Sequence, residues 1–214
     1  MSTFGDKWWS PAGPPAQAPF PYNGRMATRR STLAALALAP IVVPRLASAA
    51  AQAPAGPPRQ FGPIVPSFGG VFDVPDAVLH PPKDQDLKLR FDVNVGPEPG
   101  ELNMNFDTVA RYLNQHARAG VPRERLKAAL IIHGTAGKDT LVNDEYRKRF
   151  GKDNPNLKLL EELKAAGVQI FLCGQTSAAR NLPRAVVAPT VAFAWSAMVA
   201  HMALDRDGFV LNPF

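Results

Sequence analysis

The sequence predicts an α/β protein, a three-layer αβα sandwich around a mostly parallel sheet of about five strands. Three observations predict it. Leu87-Lys88-Leu89-Arg90-Phe91-Asp92-Val93 alternates strictly between apolar and polar residues, the mark of a strand with one buried face. Lys127-Ala128-Ala129-Leu130-Ile131-Ile132-His133 is almost wholly apolar, as expected of a central strand covered on both faces. Between and after them lie amphipathic segments. Strands that alternate with helices place successive strands parallel, because each helix crosses back over the sheet.

The remaining elements follow in order. Asn103 or Asn105 can cap the first helix. Phe106, Val109, Ala110, Leu113 and Ala117 form its apolar face, and Gly120 with Pro122 stops it. Gly134-Thr135-Ala136-Gly137 turns away from the second strand. Leu141 to Phe150 reads as helix. Asn154-Pro155 reads as a cap followed by proline at the first helical position, leading a Leu157, Leu160, Leu163 stripe that Gly167 ends. Gln169 to Cys173 is the next buried strand, with a helix expected near Thr176 or Ser177. A short strand is expected over Ala185 to Ala188. Pro189 then opens a long helix, Val191 to Arg206, and Phe209-Val210-Leu211 is the last strand.

The first third of the chain is different. Of 22 prolines, 15 precede residue 84. Residues 86–214 therefore form the domain, and residues 50–85 read as a Pro-rich extended arm, since prolines at this density block helix and remove ladder donors. Within residues 26–49, Arg29-Arg30 precedes an apolar run from Leu33 to Val43, followed by Ala47-Ser48-Ala49. This is the three-part layout of an export signal, and its arginine pair is twin-arginine-like. An ordinary secretory signal or an uncleaved anchor is the competing reading. The run is shorter than the roughly 20 residues a bilayer span requires, so no stable membrane span is expected after cleavage. Localisation is expected to be periplasmic. Residues 1–25 read as an upstream extension of a signal that begins at Met26.

Charge narrows the function. The chain carries a formal net charge of +6, but Lys7, Arg25, Arg29, Arg30 and Arg45 concentrate it in the leader. The high isoelectric point is thus a poor argument for nucleic-acid binding, and no nucleic-acid partner is expected. A single cysteine excludes an intrachain disulfide framework. There is no phosphate-binding loop, dinucleotide fingerprint or zinc cysteine set, so no cofactor and no metal are expected.

Cys173, the only cysteine, falls at the carboxyl end of a strand, the edge where open parallel sheets bind ligands. A thiolate there would be favoured by the N–H groups of the following turn, Gly174 and Gln175, and by Arg180 or Lys138 if either lies near. The bland alternative is a small buried filler. His133 ends the neighbouring strand. It reads either as a base or acid for Cys173 or as a ring that bonds a loop carbonyl. Met198, His201 and Met202 share one helical face. With Phe193 and Trp195 they read as a core or subunit-contact stripe, and as a soft copper site only secondarily.

Ile131-Ile132-His133-Gly134-Thr135-Ala136, Asn154-Pro155-Asn156-Leu157 with Leu159-Leu160 and Leu163, Ala166-Gly167-Val168, Leu172-Cys173-Gly174-Gln175 and Ser196-Ala197-Met198 together resemble the DsrE/DsrF-like family. The resemblance covers roughly residues 86–212. It implies a parallel-sheet sandwich that assembles as a homo-oligomer, a trimer or hexamer. In sulfur-relay members the cysteine at this strand end accepts sulfane sulfur as a persulfide and passes it on, a role that maps onto Cys173. The implied partner is a sulfur-carrier protein or a small sulfur compound. The expected function is periplasmic sulfur binding or transfer, with a non-catalytic oligomeric binding module as the alternative.

Overall fold

In the computed structural model, residues 56–212 are described. The expected extension, the export signal and the start of the arm therefore lie outside the described residues. Five strands form one parallel sheet: β1 (Leu87–Val93), β2 (Leu126–Ile132), β3 (Gln169–Cys173), β4 (Ala192–Ala194) and β5 (Val210–Leu211). The spatial order is β4-β3-β2-β1-β5. Every pairing is parallel, so all five carboxyl ends share one edge. Among the described residues no helix is long and apolar enough to cross a membrane.

Strand alternation sorts the core into two layers. Phe91, Val93, Leu130, Ile132, Ile170 and Leu172 face helices α1 (Met104–Arg118) and α3 (Leu157–Ala165) in the larger apolar cluster. On the other face, Ala129, Ile131 and the half-buried Phe171 meet α5 (Ala197–Arg206) through Ala200 and Leu204. That second layer is thin, which is why β1 keeps the polar Arg90 and Asp92 on that side. Two helices complete the set, α2 (Asn143–Phe150) and α4 (Gly174–Ala179).

Several boundaries differ from the sequence expectation. Asn103 caps α1, its side chain accepting from the Asn105 N–H. Asn156, not Asn154, is the N-cap residue of α3, and Pro155 precedes the helix. Leu141 is excluded from α2 because it bridges Val187. The expected strand over 185–188 is a 3-10 turn, Arg184–Val186, and Pro189 opens no helix. Instead Ala192–Ala194 adds an edge strand, and Ser196 starts α5 by accepting from the Val199 N–H.

The described part of the arm has neither helix nor strand, only an antiparallel bridge between Gln60 and Val71. It is nevertheless bound to the domain. Buried Asn114 of α1 accepts from the Ile64 and Val65 N–H groups at 3.1 and 2.9 Å. Its amide donates to the Val65, Phe68 and Gly69 carbonyls. Asp107 accepts from the Gly69 N–H at 2.7 Å. Gly69 has a φ of 65° and lies directly on the α1 backbone at Ala110, so a side chain there is excluded twice over. Val65 is completely buried, whereas Val78 and Leu79 stand in solvent.

Candidate functional site

Cys173 ends β3, and α4 begins at the next residue, two or three residues earlier than the sequence pattern indicated. This immediate turn aims backbone N–H groups at the sulfur. Burial alone pushes the Cys173 thiol up. Hydrogen bonds to the sulfur from the Thr176 N–H, the Ala197 N–H, the Thr176 hydroxyl and the Gln175 N–H outweigh that and hold it below the ordinary cysteine range. Thr176 is itself fixed, its Oγ1 accepting from the Gly134 N–H at 3.1 Å. A loop after β2 thereby sets the hydroxyl that faces the thiol.

The cradle is closed from the other side by the chain between β4 and α5. A Cβ on Gly174 would lie 2.9 Å from the Ala194 and Trp195 carbonyl oxygens, so glycine lets this segment approach the turn. Gln175 contributes twice: its N–H faces the sulfur, and its Nε2 donates to the Trp195 carbonyl at 3.4 Å. Cys173 is 6 % exposed, a nearly buried residue rather than an open surface thiol.

The expected cations are not part of this cradle. Arg180 follows α4 at its far end, where its carbonyl accepts from Arg149. Lys138 is paired with buried Asp139 at 2.7 Å. Neither is among the groups that lower the thiol. His133 follows β2, with Ile132 paired to Leu172, so His133 and Cys173 occupy the next register position on adjacent strands and share the α5 side. Yet the His133 ring bonds Asp92, its Nε2 lying 3.0 and 3.2 Å from the two carboxylate oxygens. His201 of α5 reaches the same Asp92 Oδ1 at 2.9 Å.

This His133–Asp92–His201 cluster, the Thr176 hydroxyl and the Ala197 N–H were not assigned from sequence. The residues stand far apart in the chain: the β1–β2 pairing brings Asp92 to His133, and α5 brings His201 and Ala197 to the same edge. The one available sign was Asp92 itself, a carboxylate on an inner strand at its carboxyl end. Met198 and Met202 are exposed at 73 and 59 %, so they are not core. Among the described residues no group of three His, Cys, Asp or Glu is arranged to hold a metal ion.

The model of the DsrE/DsrF-like family matches residues 90–213, a span that contains every strand after the start of β1 and the whole cradle. The chain belongs to the DsrE/DsrF-like family. Membership points to a sulfur-relay-like function. No curated protein matches the chain. Among solved structures, a similar one is the protein of unknown function MTH1491 from Methanobacterium thermoautotrophicum, 14 % identical, covering 59 % of this chain and 98 % of its own, with a TM-score of 0.44.

Proposed function

We propose that this DsrE/DsrF-like protein binds or transfers sulfane sulfur as a persulfide on Cys173, in the periplasm, after export by its twin-arginine-like signal. The observation that carries the reading is the placement of the sole cysteine, nearly buried at the turn where β3 ends and α4 begins and inside the family match; the donors around it, which hold the thiol below the ordinary cysteine range, support it. A thiolate is the nucleophile in sulfur exchange. The Cys173 thiolate attacks the outer sulfur of a persulfide R–S–SH. The S–S bond of the donor breaks, R–SH leaves with the proton, and Cys173–S–S⁻ remains. One S–S bond is exchanged for another, with no net oxidation. The added sulfur extends about 2 Å beyond Sγ, which moves the reactive atom away from the nearly buried Cys173 side chain.

Mass spectrometry after polysulfide treatment tests this. A one-sulfur adduct is expected on Cys173 and absent in Cys173→Ser. No adduct on Cys173, while a control thiol reacts, would overturn the reading. A second reading, a non-catalytic oligomeric binding module, is favoured by exposed Trp195 (79 %), Met198 and Met202 beside the site. It predicts that Cys173→Ser preserves both phenotype and the expected trimer or hexamer.

A further inference from the structure

Asp92, His133 and His201 form a cluster whose proton arrangement is dictated by elementary rules. An ionised carboxylate only accepts hydrogen bonds. Burial pushes Asp92 up, but the bonds from His201 and His133 and the attraction of those rings outweigh this and hold it below the ordinary carboxylate range. Asp92 is therefore ionised at neutral pH, and the Nε2 atoms of both rings must carry the hydrogens that reach it. Each neutral ring then keeps its exchangeable lone pair on Nδ1. Nδ1 of His133 makes no hydrogen bond among the described residues.

Strand order and register set His133 beside Cys173 at the carboxyl ends of β2 and β3, with Asp92 of β1 on the same face two residues further back, opposite Ile131. His133 is not needed to form the thiolate, because the donors at the sulfur are Thr176, Ala197 and Gln175. Two nearby cations are engaged elsewhere, Arg90 with Asp205 and Lys138 with Asp139. The chemistry left for His133 is at the sulfur that departs.

We propose that Asp92 and His201 are positioning residues of the sulfur-transfer site, fixing His133 so that its Nδ1 delivers the proton to the leaving sulfur. This rests on the Cys173 reading. Attack of the Cys173 thiolate on R–S–SH gives Cys173–S–SH and R–S⁻. The neutral His133 ring takes the proton of Cys173–S–SH on Nδ1 and hands it to R–S⁻, leaving Cys173–S–S⁻, R–SH and the ring neutral again. Atoms and electrons balance without an added oxidant or reductant.

The test compares three reagents on the full chain: an alkyl persulfide, whose thiol leaves poorly; an aromatic persulfide, whose thiol leaves readily as an anion; and iodoacetamide, whose leaving group needs no proton. In Asp92→Asn and His201→Ala, sulfur uptake from the alkyl donor is expected to fall roughly ten- to a hundredfold, while the aromatic donor and alkylation stay within about threefold of wild type. His201→Gln, which retains an N–H donor for Asp92, is expected to recover most of the alkyl rate. Wild-type alkyl uptake in Asp92→Asn overturns the proposal. So does a parallel loss with all three reagents, which marks a structural role. If wild-type protein is alkylated yet takes sulfur from neither donor, the Cys173 reading itself fails and this assignment falls with it.

Discussion

Replacing Thr176 by valine removes a hydroxyl and keeps the shape. The hydroxyl donates to the Cys173 sulfur and accepts from the Gly134 N–H. A hydrogen bond to a charged group contributes about 1.5–3 kcal/mol, and one pKa step corresponds to about 1.4 kcal/mol. The Thr176→Val thiol should therefore ionise about one to two pH units higher than wild type. Thr176→Ser keeps the donor and should stay within about half a unit. The assay is the rate of iodoacetamide alkylation against pH. Because Cys173 is the sole cysteine, whole-protein alkylation reports this one thiol, and its burial scales the rate without moving the midpoint. An unchanged midpoint in Thr176→Val, or an equal shift in Thr176→Ser, would refute the hydroxyl's role.

Other perturbations test the frame around the thiol. Asn114→Ala leaves backbone groups of the arm unpaired inside the protein and should cost about 2–4 kcal/mol; hydrogen exchange should rise over residues 62–70 while β2 stays protected, and unchanged protection of the arm refutes this. Gly174→Ala drives a methyl against the Ala194 and Trp195 carbonyls; a loss of about 1–3 kcal/mol and a higher alkylation midpoint are expected, since the Ala197 N–H follows the same segment. Asp92 is held low in the folded protein, so its stabilisation is present above the unfolded aspartate value of about 3.9 and is lost as pH falls through the lower folded value. Urea midpoints should therefore fall less steeply below about pH 4 in Asp92→Asn than in wild type, and identical slopes would contradict the assignment.

The three inner strands were legible because their patterns are unambiguous: strict alternation at Leu87–Val93 and apolar runs ending at Ile132 and Cys173. The region from Val187 to Val199 was not. It is one nearly continuous apolar stretch, and periodicity alone cannot separate strand from helix there. Pro189 looked like a helix opener, while the deciding residue, Ser196, lies in the middle of the run. The site divides in the same way. Cys173 could be placed at a strand end from local sequence. The place of Arg180, at the end of α4, depends on a helix length that the local sequence does not set. The bond between His133 and Asp92 depends on the β1–β2 register, and His201 enters only because α5 covers that face of the sheet.

The attachment of the arm has a consequence for how this protein must be handled. The family match begins at residue 90, yet Val65, from well upstream, shares an apolar cluster with Phe91 and Phe106. The stretch recognisable as kin and the stretch required for a dry interior are thus not the same. A polypeptide trimmed to the recognisable part would present bare Asn114 and an uncovered flank of α1 to water, and instability in such a fragment would report the missing tether rather than any weakness of the sheet.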